Sequence, residues 1–428
     1  MGSKAKMSGF PEWLPEQELV QARVLQILRE QFGLHGFTPL HLRSVEPVEV
    51  LTSKGEDADK EIYGVQRLAA EPGTAAKLGL HFDLTVPMAR YVMQNRGSLV
   101  FPFRRYQIAP CWRGERPQMG RYREFIQADI DIIGEGSLDP MYDAEMVWLL
   151  AHVMKALPIP AVQLYVNNRK LLEGLYRGFG IEDITTALRI VDKLDKIGAD
   201  KTIELMVEAG IATATAQRCI EVANIEAQDA SLRETIGAFG VSNDLVEEGL
   251  RELVAVLEYG HGGGVTAALR IARGLDYYTG TVVEGVLESH PKAGSVCSGG
   301  RYDNLAGDGK VKLPGMGVSV GVTRIMALCF HHGLLEASPK KTTADVLVIV
   351  HDDESVSQSH AVARQLRERG VACVVSHRAS AYGKQIQWAE KVGIEYVWFP
   401  PRKGGEHEVK NIRSGEQAAA DPSAWTPR

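Results

Sequence analysis

Residues 103–134 read FRRYQIAPCWRGERPQMGRYREFIQADIDIIG. The flanks, FRRYQIAPCW and YREFIQADIDIIG, hold aromatic and β-branched residues in partial alternation, and the central GERPQMGR has turn composition. They read as two strands joined into a hairpin. Arginine crowds it: Arg104, Arg105, Arg113, Arg116, Arg121 and Arg123 fall within this short region among few acids. Chemistry on a nucleotide concentrates negative charge on phosphates, and guanidinium groups clamp such oxygens through paired hydrogen bonds. Arg113 and Arg121 are candidates for that clamp. Glu115 can orient a base, an arginine or magnesium, and Phe125 can stack on an adenine ring. A solvated basic hairpin with a core phenylalanine is the plainer alternative.

The second strand carries Gln127, Asp129 and Asp131 at even spacing, hence on one face. Three inward polar groups are costly in an apolar core unless partnered. They suit a pocket for an amine or an imidazole N–H; the alternative is a face that meets water. A second polar-aromatic cluster is RGLDYYTG (273–280), where Arg273 can meet a carboxylate or phosphate and Tyr278 a small aromatic substrate. A tyrosine-rich structural turn is the competing reading. GHGGGVT (260–266) lacks the lysine and spacing of a phosphate-binding loop. PGMGVSVGVTR (314–324) matches no nucleotide fingerprint either, but its small residues permit close packing or backbone approach to a ligand, with Arg324 near adenine or phosphates.

Outward from the hairpin, Val20, Val24, Ile27 and Leu28 predict an early amphipathic helix ending near Gly33 or Gly36. Lys54 to Lys77 reads as irregular structure or short hairpins, and Pro140 to Leu157 as a buried helix. Residues 180–260 change character: DITTALRIVDKLDKIG, KTIELMVEAG and DLVEEGLRELVAVLEYG are helical texts broken by glycine. Strand text returns at GTVVEGVLES, and an apolar helix is expected over Val322–Phe330. A boundary lies near HHGLLEASPKKTTADV (331–346), beyond which apolar runs alternate with helical segments, as in a compact α/β domain.

The chain of 428 residues has room for two or three domains. No stretch approaches the roughly 20 apolar residues of a membrane span, and MGSKAKMSGFPEW lacks the apolar centre of a secretory signal. The formal charge of -6 argues against an overall basic surface without excluding a local nucleic-acid site. Five scattered cysteines without a CxxC pair point to a reducing cytosol rather than to a disulfide framework or zinc. The twelve histidines are likewise scattered, and no HExxH or G-x-S-x-G element is present, so no protein metal site is expected.

Taken in chain order, several motifs resemble the histidyl-tRNA synthetases. HFDLTVPMARYV (81–92) looks like the histidine-binding segment of the eukaryotic-style branch, and the hairpin resembles class II motif 2. RGLDYYTG is similar to the histidine-specific signature, and CSGGRYDNL (297–305) followed by GMGVSVGVTR (315–324) resembles motif 3 and its approach. LHLRSVEP (40–47) departs from motif 1, with Arg43 where bacterial relatives commonly show proline. In the tail, YGKQIQWAEKVG and VKNIRSGEQ resemble the anticodon-binding domain.

The resemblance implies an α+β fold: an antiparallel catalytic sheet with flanking helices over 10–335, a helical insertion near 180–260, and a mixed α/β anticodon-binding domain over 342–428. It implies that Asp83, Thr85 and Gln127 bind the histidine ammonium, while Asp131 and Tyr278 recognise the imidazole, with Tyr277 also in the histidine site. Arg113 would hold the carboxylate or α-phosphate region, and Glu115, Arg121, Phe125 and Arg324 would bind ATP. Arg273 joins Arg113 as the catalytic pair. Histidine, ATP with Mg2+ and histidine tRNA are the implied substrates, acting on a cytoplasmic homodimer without membrane attachment. The competing readings are an inactive paralogue that regulates ATP phosphoribosyltransferase, an RNA-binding regulator on the same scaffold, and another class II synthetase.

Overall fold

The protein is described from a computed structural model over residues 7–52, 61–71, 73–260, 264–272, 278–306, 311–402 and 405–427. Two compact units result, one built on Val24–Leu335, the other on Glu336–Arg428 together with Glu12–Arg23.

In the first unit the strands begin β1 (Thr38–Pro39), β2 (Val45–Pro47), β3 (Gly64–Val65) and β4 (Leu78–Leu80). The hairpin follows as β5 (Phe103–Trp112) and β6 (Glu124–Ile133), then β7 (Val162–Asn168), β8 (Glu226–Ala227) and β9 (Val265–Ala268). The set closes with β10 (Thr281–Leu287), β11 (Ser295–Ala306) and β12 (Leu313–Gly321). Nine of these form one sheet in the order β1-β5-β6-β12-β11-β10-β7-β9-β8. Only the β1–β5 and β7–β9 pairs are parallel. The α+β expectation with an antiparallel sheet is therefore met.

The hairpin is as its sequence predicts. Phe103 to Trp112 pair without a break against Ile133 to Glu124, and Gly120 takes the positive φ of 71° that the turn demands. Alternation on β5 sends Arg105, Gln107, Ala109 and Cys111 to one buried face. On β6 both faces are covered from Ala128 onward, so Ile130 and Ile132 are as buried as the acids between them. Each such aliphatic side chain contributes about 1.5–3 kcal/mol on burial.

The buried helix expected after Pro140 spans Met141–Ala156, and the apolar helix near motif 3 spans Val322–His331. Both pack against the sheet. The region 180–260 is helical through six segments, ending in Asp244–Tyr259, which packs against Arg169–Gly178 and Met141–Ala156. It also supplies β8 to the edge of the sheet, a strand that its helical periodicity does not announce. Between Lys54 and Lys77, residues 53–60 and 72 lie outside the described residues; β3 pairs with β4, which pairs in turn with β2.

The early helix spans Pro15–Leu34, ending between the Gly33 and Gly36 expected to stop it, and Gly36 takes the positive φ of 74°. In the second unit β13 (Val346–Val348), β14 (Cys373–Val375), β15 (Tyr396–Phe399), β16 (Glu408–Asn411) and β17 (Gln417–Ala419) form a mixed sheet ordered β14-β13-β15-β16-β17. The helices Val356–Glu368 and Tyr382–Val392 belong to this unit. Trp398 is fully buried among Val346, Val362 and Leu366. All five cysteines are buried and free, and no helix is long and apolar enough to cross a membrane among the described residues.

Candidate active site

The sheet's register builds the floor of a cavity. One row across the strands is Gln107–Asp129–Ser319–Ser298, and the next is Arg105–Asp131–Gly317–Gly300. Directly opposed residues share a face, so polar groups from four strands converge. The cavity encloses about 570 Å3 of non-atom space, its open mouth included. Asp83, Thr85, Arg113, Gln127, Asp131 and Tyr278 all line it, so six of the eight residues expected to bind histidine meet in one place. The other two, Arg273 and Tyr277, lie outside the described residues.

Local sequence explains how the walls are set. The helix Thr85–Asn95 packs Met88, Ala89 and Val92 on Ile133, Tyr302 and Leu313, which brings its start to the cavity. Pro87 falls in the first turn, where no N–H is needed. The Asp83 Oδ1 accepts a hydrogen bond from the Val86 N–H at 3.0 Å, closing that end. His81, fully buried just before it, donates from Nε2 to the Pro110 carbonyl at 2.8 Å and ties this segment to β5.

The floor is flat because glycine makes it so. A Cβ on Gly317 would sit 2.1 Å from Asp131 Oδ1, and one on Gly315 would sit 2.5 Å from the Tyr302 ring. Both glycines of GMG are thus required by close approach. The Tyr302 hydroxyl donates to Asp131 Oδ1 at 2.9 Å, and Arg105 Nη2 lies 2.6 Å from Asp131 Oδ2. Gln127 Nε2 donates to Ser319 Oγ at 2.7 Å.

Burial shifts the acids. The Asp131 carboxyl is pushed up by desolvation, with Arg105 and Tyr302 pulling it back. Desolvation also dominates at Asp129, raised to about 7 against the opposing pull of Arg105 and Ser319. The Asp83 carboxyl is raised by burial as well, opposed first by the Val86 N–H and then by Arg113. Asp129 and Asp131 are 4% and 3% exposed, which excludes the reading in which this face meets water.

The residues expected to bind ATP are arranged differently. Of them only Arg113 lines the cavity; it donates from Nε to the Phe82 carbonyl at 3.1 Å and stacks over the Phe125 ring, 5.1 Å from its centroid. Phe125 packs its remaining surface on Leu84, Ala109 and Cys111. Arg121 and Glu115 lie 3.8 Å apart on the turn, half-exposed. Arg324, in the first turn of Val322–His331, donates to the carbonyls of Gly120 (3.3 Å) and Ala293 (2.7 Å).

Arg105, Tyr302, Ser298 and Ser319 are not singled out by the sequence reading, yet they shape the floor. Strand alternation from Ala109 and Cys111 marks Arg105 as inward; the adjacent Arg104 masks that signal by making the pair look like one basic patch. Arg104 in fact turns the other way, bidentate to Glu145 at 2.7 and 2.9 Å.

A mostly antiparallel nine-stranded sheet that includes the arginine hairpin, with a polar cavity on its face, matches the class II aminoacyl-tRNA synthetase catalytic fold. The family model for histidyl-tRNA synthetase matches residues 9–325. The histidine–tRNA ligase of Micrococcus luteus is 49% identical over an alignment 446 positions long, covering 100% of this chain and 97% of the relative. A histidyl-tRNA synthetase crystal structure from Nostoc sp. PCC 7120 superposes with a TM-score of 0.87 at 32% identity, over 98% of this chain and 97% of that one. A Bacillus halodurans structure titled as an ATP phosphoribosyltransferase regulatory subunit/histidyl-tRNA synthetase shares the fold at a TM-score of 0.77 and 19% identity, over 94% of this chain and 100% of that one.

The chain belongs to the histidyl-tRNA synthetase family. Its activity is the ATP-dependent formation of histidyl-adenylate and the charging of histidine tRNA. One expectation is corrected: the eight curated relatives compared are bacterial, so HFDLTVPMARYV does not mark a eukaryotic-style branch. Asp83 and Thr85 of that segment line the cavity, and a cavity of given chemistry constrains residue type more than lineage does.

Proposed function

We propose that the cavity on the β5–β6–β12–β11 face is the histidine site. Asp83, Thr85 and Gln127 take the ammonium, and Asp131 and Tyr278 the imidazole; Arg113 takes the carboxylate and then the α-phosphate region. The observation that carries this reading is their convergence on one enclosed surface. An ionised carboxylate accepts from an imidazole N–H, and a phenol serves as donor or acceptor for the other nitrogen.

Glu115, Arg121, Phe125 and Arg324 form the ATP side, with Arg273 and Tyr277 completing the catalytic and histidine sets. Mg2+ arrives with ATP, held mainly by phosphate and water; no group of three or more acidic, histidine or cysteine side chains is poised for a metal among the described residues. Histidine's carboxylate attacks the α-phosphorus and pyrophosphate leaves. The terminal adenosine 3′-hydroxyl of the tRNA then attacks the activated carbonyl and AMP leaves. No protein nucleophile is required: Arg113 aligns the attacking oxygen and stabilises the charge that develops.

The catalytic domain is assigned to 10–335 with its insertion near 180–260, and the anticodon-binding domain to 342–428. A cytoplasmic homodimer is the proposed state, with the motif 1 segment at its interface. In that segment Arg43 pairs with Glu46 at 2.6 Å, and Glu46, fully buried, also takes Arg90 at 2.8 Å. The test of the site is histidine-dependent ATP–pyrophosphate exchange on single-site variants, with the other amino acids as controls. Loss that tracks histidine concentration at Asp131 and Gln127, and ATP concentration at Arg121 and Arg324, supports the assignment. The reverse pattern overturns it.

A further inference from the structure

Behind the proposed imidazole contact stands an arginine that does not reach the cavity. Arg105 is 0% exposed, on β5 directly opposite Asp131. Asp131 lines the cavity and Arg105 does not. The carboxylate is gripped from both sides: Arg105 Nη2 at 2.6 Å on Oδ2, the Tyr302 hydroxyl at 2.9 Å on Oδ1. Gly317 leaves room for that pose, since any Cβ there would strike Oδ1.

We propose that Arg105, assisted by Tyr302, is a positioning residue for histidine selection: it keeps the Asp131 carboxylate ionised and turned into the cavity. The inference rests on the assignment of Asp131 to the imidazole. Three features separate it from a merely structural ion pair. A buried pair loses to well-packed apolar residues as often as it wins, so stability alone gives weak reason to keep one here. The guanidinium is also incompletely satisfied, Nε and Nη1 having no hydrogen-bond partner among the described residues, whereas the neighbouring Arg104 is bidentate to Glu145 and lies 5.5 and 5.4 Å from the Phe37 and Tyr142 ring centroids. Finally, one buried cation faces two carboxylates on the same sheet face, Asp129 and Asp131, and it is Asp131 that makes the direct contact. An uncompensated carboxylate at this depth would take up a proton and present a donor where the imidazole N–H needs an acceptor.

The experiment is steady-state ATP–pyrophosphate exchange with the full-length protein, comparing R105M, R105K, Y302F, D131N and the R105M/D131N double variant. R105M is expected to raise KM for histidine about thirtyfold or more, leaving kcat within threefold and KM for ATP unchanged. Y302F is expected to raise the histidine KM about fivefold, and R105K to recover most of the loss. In the D131N background, R105M is expected to add less than twofold, because it acts through Asp131. Equal losses in kcat and both KM values, an unchanged histidine KM in R105M, or a full additional loss in the double variant would overturn the inference. If R105M fails to fold, an unchanged histidine KM in Y302F overturns it. D131N without effect would instead overturn the assignment of Asp131 itself.

Discussion

The two ends of the hairpin are made of the same two strands and behave as opposites. At one end Arg105 and Asp131 are buried and locked in short contacts with each other and with Tyr302 of β11. At the other, Arg121 and Glu115 stand half-exposed with 3.8 Å between them. On the proposed assignment, the difference follows from what each end recognises. An imidazole is small and distinguished by hydrogen-bond pattern, so its recognition depends on groups fixed in a desolvated place, where an unmatched partner is costly. A triphosphate is large, charged and shared by many enzymes, and mobile guanidiniums can follow it as its charge moves.

That contrast can be broken at graded points. The largest effect is expected from Arg113→Ala, since Arg113 belongs to both ends: it lines the cavity and stacks on Phe125. Single-turnover adenylate formation should fall on the order of 10²–10³-fold, the range for removing a group that stabilises developing charge. Asp131→Asn comes next, exchanging an anion for an amide against a buried imidazole. The KM for histidine should rise about tenfold to a hundredfold, corresponding to the 1.5–3 kcal/mol of a charged hydrogen bond, with KM for ATP unmoved. Arg121→Ala should act on ATP alone, raising its KM by roughly fivefold, with the deficit shrinking as salt screens the exposed pair.

The mildest test concerns stability. The folded Asp129 carboxyl is raised to about 7 by burial, above the ordinary aspartate value of 3.8. Between those limits the unfolded chain has released a proton that the folded one keeps. Stability from this group is therefore full below the lower value and lost as pH rises through the upper one, by up to about 1.4 kcal/mol per pH unit. Thermal melts of the ligand-free protein at pH 5, 6, 7 and 8 should show this decline, and Asp129→Asn should reduce it most between pH 6 and 7, above the range of Asp143, which burial raises to about 6. A melting profile in which the variant keeps the same slope would remove Asp129 as its source.

Much of this arrangement is written in local sequence, and the rest is written nowhere locally. The hairpin, the helix Met141–Ala156 and the alternation of the second unit follow from local composition, apolar density and turn residues, with β5 alone in the hairpin showing a single buried face. Gln127 and Asp131 could be placed on one face by counting in twos, but whether that face met water or a pocket depended on Gly317 and Tyr302, nearly two hundred residues on. Arg105 carried a readable signal, two residues before Gln107 and four before Ala109, yet the doubled arginine looked like surface charge. The pairing of β7 with β10 across the intervening helices has no local signature, since such registers are set by packing between distant segments. The roles of Arg273 and Tyr277 rest on motif resemblance alone.

The most direct test is a crystal structure of the protein soaked with histidine. The account predicts the imidazole against the Asp131 carboxylate, within hydrogen-bond distance of the oxygens that Arg105 and Tyr302 hold, and the ammonium toward Asp83 and Gln127. Histidine bound with its imidazole elsewhere, or with the Asp131 carboxylate turned out of the cavity and parted from Arg105, would contradict the account.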